Sequence, residues 1–308
     1  MRSLRRKAIL ATAGLAAWVA GAAFGTAGPV HHAVAAPVVQ IGVAHPKEVR
    51  NLPALSGSKP VFILALGSDA RPGEPITGER SDSIHIIGIN PAEHRASVLG
   101  FPRDSWVDIP GHGSNKINAA MVDGGPRLMV ETIEHLTGIH IDYYLLTSFG
   151  GLAHMVNAIG GIVVDVPYDM HDSYSGADFN QGEQRLSGKQ ALAFSRNRHD
   201  TPNGDLSRSQ NQGRLLVSAL RQFRQEFEND PSVLLTWLAA GIRNTSTDLS
   251  VRQLVSLAFT AAGISPGDVH NEVVPATTGS VGAASVVFIS DSAQSVYDDM
   301  KADGLIGR

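Results

Sequence analysis

The 308-residue chain contains no cysteine. This absence excludes disulfide bonds, thiol nucleophiles, iron–sulfur clusters and thiolate zinc sites, so a bound metal ion must use oxygen or imidazole ligands. The chain also lacks a large excess of charge of either sign, because 25 basic side chains stand against 29 acidic ones. A net charge of −4 gives no global sign of nucleic-acid binding, and we expect no nucleic-acid partner.

Several well-known catalytic motifs are missing as well. The sequence has no H-E-x-x-H or G-x-G-x-x-G pattern, so zinc proteases and dinucleotide-binding proteins find no support. The stretch from Gly182 to Lys189 is not a Walker A loop. Five residues separate its two glycines, and Gln190 stands where Ser or Thr is required.

Charge is absent from one long segment near the N-terminus, residues 8–30. The preceding residues 1–7 form a basic tail with four cations: Arg2, Arg5, Arg6 and Lys7. As a helix, the uncharged segment would span roughly 34 Å, enough for a bilayer core of about 30 Å. We therefore predict a single transmembrane anchor with a cytoplasmic N-terminus and the rest of the chain outside the cell membrane. The alternative is a cleaved signal peptide with an A-x-A site at residues 33–35.

Residues 31–58 contain three prolines and show no clear periodicity, which is typical of a linker. Residues 59–308 form the predicted domain, in which short apolar runs alternate with helical patterns. Strands are predicted at 61–66, 84–89, 97–101, 141–147, 162–166, 272–274 and 285–289. Helices are predicted at 119–136, 149–159, 187–193, 206–227, 232–243, 251–262 and 292–302. This alternation predicts an α/β fold, a layered α-β-α arrangement with a mixed central sheet.

Charged residues follow or precede the first three predicted strands, and residues 90–94 between the second and third predict a hairpin turn. An up-down-up meander would bring the end of the first strand, the start of the second and the end of the third to one edge of the sheet. Each of these three places has one acidic and one basic residue: Asp69 with Arg71, Arg80 with Asp82, and Arg103 with Asp104. Their convergence favours a binding site over a set of unrelated surface ion pairs.

A second polar cluster follows the helix that begins near Ser187. Arg196 and Arg198 lie two residues apart, so an extended backbone would direct both to the same side. Asp205, Arg208 and Gln212 share one face of the long helix that follows, and the same face becomes apolar two turns later. An inward polar patch needs partners, either a buried salt-bridge network or a polyanionic ligand. We favour the anion, because arginine forks match phosphate oxygens.

Eight short motifs in this order resemble the LytR-CpsA-Psr family. They are LGSDAR at 66–71, RSDSI at 80–84, PRDS at 102–105, KINA at 116–119, GGI at 160–162, LSGKQAL at 186–192, RNR at 196–198, and Asp205 with Arg208 and Gln212. One position departs from the family pattern, since Asn211 stands where an arginine usually precedes the glutamine.

The resemblance implies a membrane-anchored, extracytoplasmic phosphotransferase of the bacterial cell envelope. Such enzymes move a phosphate-linked glycopolymer from a polyprenyl pyrophosphate carrier, a membrane lipid, to a sugar hydroxyl of peptidoglycan. By resemblance, Asp69 and Asp82 would hold Mg²⁺ or Mn²⁺, and Asp104 or Asp205 would act on the acceptor hydroxyl. The groups implied around the pyrophosphate, of which Arg80 is also assigned to catalysis, are Arg80, Arg103, Arg196, Arg198, Arg208 and Gln212.

Other classes of function stay open at the level of sequence. The same residues would suit a polyprenyl pyrophosphate phosphatase that uses water as the acceptor. A non-catalytic lipid-binding or regulatory envelope protein would need the apolar interior but not the paired aspartates.

The membrane topology can be tested directly. A periplasmic-type reporter fused after Arg308 should be active only outside the cytoplasm, because the four leading cations have no counterpart directly after the apolar segment. The matched control carries acidic residues in place of those four cations and should lose this strict orientation. Activity of a cytoplasm-only reporter at Arg308 in the natural chain would contradict the prediction.

Overall fold

The computed structural model describes residues 59–71 and 74–307. The predicted tail at 1–7, the membrane segment at 8–30 and the linker at 31–58 lie outside the described residues, and they stay predictions. Within the portion that is described, no helix is both long and apolar enough to cross a bilayer.

A six-stranded mixed sheet forms the centre of the fold. Its strands are β1 (Val61–Ser68), β2 (Ser81–Asn90), β3 (Arg95–Gly100), β6 (Tyr143–Ser148), β11 (Thr245–Thr247) and β12 (Val269–Val273). Their order in the sheet is β11-β6-β1-β2-β3-β12. The first three strands pair antiparallel, which confirms the predicted meander. β6 pairs parallel with β1, and β12 pairs parallel with β3.

Seven α-helices are found in the described residues, and each was predicted from periodicity. They are α1 (Ala119–Thr137), α2 (Phe149–Ala158), α3 (Gly188–Arg196), α4 (Asp205–Asn229), α5 (Val233–Asn244), α6 (Val251–Gly263) and α7 (Ala293–Asp303). The start of α3 explains Gln190, whose side-chain oxygen accepts a hydrogen bond of 3.0 Å from the backbone N–H of Ser187. Gln190 thus completes a helix cap, a structural role.

The two faces of the sheet bury separate apolar clusters. Leu64 and Ile86 point to one face, where they pack with residues of α1 and α7 such as Met129 and Met300. Ile63 and its neighbours point to the other face, toward α4 and α6. Because successive side chains of β1 and β2 point to opposite faces, both faces of the sheet are apolar and covered by helices, as the predicted α-β-α layering requires.

Four two-stranded ribbons surround this sheet. They pair β4 (Trp106–Ile109) with β5 (Gly113–Lys116), β7 (Ile162–Val166) with β10 (Gly182–Leu186), β8 (Met170–Asp172) with β9 (Ala177–Phe179), and β13 (Ala276–Val281) with β14 (Ala284–Ile289). The prediction missed seven strands. Six belong to the ribbons (β4, β5, β8, β9, β10 and β13), and β11 belongs to the central sheet. Most are short or rich in polar residues, and such strands carry little periodic signal.

Helix α4 approaches the sheet closely because two glycines leave room for it. A Cβ at Gly100 of β3 would lie 2.5 Å from Ser209 Oγ, and a Cβ at Gly213 of α4 would lie 2.0 Å from Asn271 Oδ1. Beside Gly100, the buried His85 of β2 bonds the carbonyl oxygen of Ser209 through Nε2 at 3.1 Å. That carbonyl can only accept, so Nε2 carries the proton, and Nδ1 accepts from the hydroxyl of Ser83 at 3.1 Å.

The contact between His85 and α4 predicts a pH dependence of stability. Burial lowers the pKa of His85 from 6.5 to about 4, so the unfolded chain takes up a proton at a higher pH than the folded chain does. The free energy of unfolding should therefore fall by up to about 3 kcal/mol as the pH decreases from 6.5 to 4. Urea denaturation across this range measures the effect.

The control for this experiment is His140→Gln, because His140 is exposed. His140→Gln should keep the acid-dependent loss, whereas His85→Gln should lose most of it. An equal slope in the wild type and in His85→Gln would contradict the assignment.

Candidate functional site

Two aspartates meet at the predicted edge of the sheet. Asp69 follows β1, and its backbone N–H donates to the carbonyl oxygen of Arg80 at 3.0 Å. The pairing of β1 with β2 shifts by one residue there, since Gly67 faces Ser83 while Ser68 faces Ser81. Asp82 is thus the extra residue of a β-bulge, a feature that redirects a side chain.

The environment of Asp69 suits a positively charged ligand. Its Oδ1 is buried and has no hydrogen-bond partner among the described residues. Burial, followed by the charges of Asp82 and Glu79, raises the pKa of Asp69. Two carboxylates that repel each other and leave one oxygen unpartnered can accept a cation.

The loop after β3 brings cationic partners to this edge. Arg103 lies 2.5 Å from Asp82 Oδ1, and Asp104 lies 3.0 Å from Lys116 Nζ at the end of β5. Burial opposes the charge of Arg103, but Asp82, with help from Asp104 and Asp205, outweighs it and raises the pKa of Arg103. Lys116 entered the sequence interpretation only as part of a family motif, because nothing local in the sequence links it to Asp104.

The first turns of α4 present a buried ion pair to the same place. Arg208 pairs with Asp205, and their side chains are only 5% and 10% exposed. Burial raises the pKa of Asp205 even though Arg208 stabilises its charge, and burial lowers the pKa of Arg208. The predicted inward polar face of α4 is therefore confirmed.

The segment after α3 differs in part from the expectation. Arg196 is the last residue of α3 and is exposed, with Cζ 5.0 Å from the centroid of the Phe149 ring. The prediction that Arg196 and Arg198 extend from one side of an extended strand is wrong, because the helix continues through Arg196. Asn197 between them is fully buried, and its amide has no hydrogen-bond partner in the described part of the chain. Neither the spacing nor the family motif had singled out Asn197 as a site residue.

Arg198 and Arg80 differ from Arg103 and Arg208 in having no carboxylate partner among the described residues. Arg198 is half-buried, and its charge lowers the pKa of both Asp205 and Arg208. Arg80 is exposed at the start of β2. No ion pair joins either side chain to a carboxylate within the described ranges. Both guanidinium groups therefore have donors left for an anion.

Gln212 and Asn211 have contacts that the sequence did not predict. The amide nitrogen of Gln212 donates to two carbonyl oxygens, those of Asp82 and Ser195, each at 3.1 Å. Gln212 thus holds the site together through the backbone. Asn211 is buried, and its Nδ2 lies 3.4 Å from the hydroxyl of Tyr168, which it can reach as a donor.

Six cations and four carboxylates gather at this edge. The cations are Arg80, Arg103, Lys116, Arg196, Arg198 and Arg208, and the carboxylates are Asp69, Asp82, Asp104 and Asp205. Such an arrangement can bind a polyanion and stabilise negative charge that develops on phosphate oxygens.

Comparison with known proteins agrees with this geometry. The model of the LytR_cpsA_psr family matches residues 34–302. The chain belongs to the LytR_cpsA_psr family. The match confirms the resemblance that the eight sequence motifs indicated.

Named members of the LytR_cpsA_psr family align over much of the chain. A protein of Enterococcus faecalis, named polyisoprenyl-teichoic acid–peptidoglycan teichoic acid transferase TagU, is 33% identical over 206 residues, 67% of each chain. The protein of the same name in Bacillus mycoides is 38% identical over 169 residues, 54% of each chain. The chain thus spans between about half and two thirds of the length of these curated relatives. The crystal structure of B. subtilis TagV has a TM-score of 0.65 at 26% identity and covers 78% of this chain and 94% of its own.

Two arginines of the site should respond differently to replacement by alanine. Arg208→Ala should lower the free energy of unfolding by about 3 to 5 kcal/mol, because it leaves Asp205 buried without its partner. Arg198→Ala should change it by less than about 0.5 kcal/mol, because its attraction to Asp205 is offset by its repulsion from Arg208. Thermal and urea denaturation of the ligand-free protein measure both effects.

The same pair of variants separates a binding site from a structural ion-pair network. Arg198→Ala should weaken the binding of polyprenyl pyrophosphate by about 2 kcal/mol or more. An equally large ligand-induced rise in melting temperature in the wild type and in Arg198→Ala would show that Arg198 does not contact the pyrophosphate.

Proposed function

We propose that this protein is a phosphotransferase that moves a phosphate-linked glycopolymer from a polyprenyl pyrophosphate carrier to a sugar hydroxyl of peptidoglycan. The carrying observation is that the buried Asp205 feels the charges of three guanidinium groups and of one further carboxylate, that of Asp104. The charges of Arg208, Arg103 and Arg198 all act on Asp205, yet only Arg208 pairs with it. An excess of cations in a partly buried cleft is stabilised by an anion of several charges, such as a pyrophosphate. The names of the Enterococcus and Bacillus relatives support the same substrates.

The proposal includes a divalent cation, Mg²⁺ or Mn²⁺, held by Asp69 and Asp82. The unpartnered Oδ1 of Asp69 and the repulsion from Asp82 fit such an ion. In the described part of the chain, no three His, Asp or Glu side chains lie close enough to hold a metal ion. The remaining ligands would therefore be oxygens of the carrier and water, as is usual for Mg²⁺. When bound, the ion would neutralise charge on the departing phosphate.

In the proposed step, the acceptor hydroxyl oxygen attacks the phosphorus that carries the glycopolymer. The bond from that phosphorus to the bridging oxygen breaks, and polyprenyl phosphate leaves with the electron pair. Arg103, Arg198 and Arg208 stabilise the charge that develops on the phosphate oxygens, and the exposed Arg80 can reach the pyrophosphate from outside.

The hydroxyl proton passes to an aspartate that does not hold the metal ion. Burial raises the pKa of Asp205, which makes it a better proton acceptor than an ordinary carboxylate. Both candidates are held in ion pairs, Asp104 with Lys116 and Asp205 with Arg208. The raised pKa supports Asp205 as the base, with Asp104 as the alternative.

The proposed location is the outer side of the cell membrane, with a single N-terminal span and a cytoplasmic N-terminus. The basic tail at 1–7 and the uncharged segment at 8–30 support this topology. The family match begins at residue 34, after that segment. A lipid carrier and a peptidoglycan acceptor are both accessible from this position.

Transfer of labelled polymer from a purified carrier to peptidoglycan by the full-length protein in vesicles tests the function. The wild-type protein should release polyprenyl phosphate only together with covalent attachment of polymer to the acceptor. Release of polyprenyl phosphate and free polymer in the absence of acceptor would instead favour a polyprenyl pyrophosphate phosphatase.

The metal site has its own test in the same assay. Asp69→Asn and Asp82→Asn should each reduce turnover by about 100-fold or more, because the amide keeps the shape but lacks the charge that binds the ion. Asp230→Asn is the control, since Asp230 is exposed beyond the end of α4. Undiminished activity of the wild-type protein in a chelator would contradict the metal site.

A further inference from the structure

A groove of about 550 Å³ lies on the α1 and α7 side of the sheet, between the end of α1, β4, β14 and the start of α7. Its lining includes the aromatic side chains of Trp106, Phe288 and Tyr297. Its polar lining includes Asp108, His135, Asp291 and Gln294. None of these residues belongs to the charged site described above.

The groove begins next to that site. Trp106 follows Asp104 by two residues, and the backbone N–H of Val287 in β14 donates to the carbonyl oxygen of Asp104 at 2.9 Å. Ser105 forms a parallel bridge with the same Val287. One backbone segment therefore carries Asp104 toward the charged site and Trp106 toward the groove.

Phe288 is a fixed aromatic surface. Phe288 is 38% exposed, so part of its ring is accessible from solvent. The ring lies against Gly279 of the neighbouring strand, where a Cβ would be 2.7 Å from Cε2 of the ring. The absence of a side chain at Gly279 allows the ring to lie across the ribbon.

Tyr297 supplies a polar group without a partner. Tyr297 lines the groove and is only 3% exposed. Its hydroxyl is buried and makes no hydrogen bond within the described residues. Burial also raises the pKa of Tyr297, so the hydroxyl stays protonated and can donate. A buried hydroxyl of this kind is normally satisfied by a ligand or a water molecule.

We propose that this groove binds the uncharged glycan chain of the acceptor. Aromatic rings pack against the C–H faces of sugars, and carboxylate, amide and phenol groups bond their hydroxyl and acetamido groups. In the described residues, neither Lys nor Arg lines the groove, while Asp291 and Asp108, whose carboxylate lies 3.5 Å from His135 Nε2, give it negative charge. That charge disfavours a phosphate-bearing glycopolymer, so the groove suits the acceptor and not the donor. The identity of the acceptor rests on the proposed function.

Binding of a neutral oligosaccharide to the full-length protein in detergent micelles tests this inference. The probe is a tetramer of β-1,4-linked N-acetylglucosamine, measured by ligand-observed NMR without carrier or metal ion, and oligomeric glycerol phosphate is the anionic comparison. The wild-type protein should bind the tetramer with a Kd on the order of 1 mM or tighter. It should bind the anionic oligomer more weakly.

Two variants alter the groove and one serves as a control. Phe288→Ala should weaken binding of the tetramer by about 10-fold and Tyr297→Phe by about 5-fold. Tyr297→Phe should leave the melting temperature unchanged or raised, because it removes an unpartnered hydroxyl, so its weaker binding would not reflect unfolding. Phe259→Ala is the control: Phe259 is 55% exposed on α6, and that helix packs on the other face of the sheet. It should bind like the wild type.

The inference is overturned if the wild-type protein does not bind the tetramer, prefers the anionic oligomer, or binds the tetramer as tightly after both groove substitutions. The transfer assay distinguishes this failure from failure of the proposed function. If the tetramer binds but no polymer is transferred, the proposed transferase function is refuted and the glycan-binding groove is retained. If polymer is transferred and both substitutions leave the acceptor KM unchanged, the glycan-binding groove is refuted and the transferase function is retained.

Discussion

The polar contact between the first half of α4 and the meander is the interaction on which the site depends. His85 and Gln212 replace the apolar packing that usually joins a helix to a sheet, and each uses its donors on a carbonyl oxygen. Because buried polar groups are costly unless they are paired, these contacts permit only one position of the helix. That position brings Asp205 and Arg208 to the residues at the end of β1 and the start of β2.

The charged residues of the site have fewer of their buried polar atoms hydrogen-bonded than the residues that hold the site together. In the described residues, several buried polar atoms without hydrogen-bond partners belong to its charged residues: Asp69 Oδ1, Arg103 Nε and the Asp205 carboxylate oxygen that does not pair with Arg208. Native proteins seldom leave such atoms unpaired without a functional reason. The buried polar groups that hold α4 on the sheet are thus paired, whereas those of the charged residues are paired only in part, which fits the anion and cation sites proposed above.

Much of this arrangement could be predicted from the sequence, for identifiable reasons. The apolar periods of β1 to β3 define a meander, and a meander determines which loop ends share an edge, so Asp82 and Arg103 could be placed together. The spacing of Asp205, Arg208 and Gln212 likewise defined one face of α4. Contacts between residues distant in sequence could not be predicted in this way. The bond from Gln212 to two carbonyl oxygens and the pairing of Asp104 with Lys116 depend on side-chain directions that no local pattern encodes.

The two hydrogen bonds of the Gln212 amide join the start of β2 to the end of α3, the two elements that present the aspartate pair and the arginine segment. One side chain therefore links these two segments. Because both acceptors are main-chain atoms, a shift of either segment relative to α4 would break a hydrogen bond. In the proposed reaction, this linkage would favour the diphosphate unit of the carrier, and discrimination between polymers would come from residues outside the site.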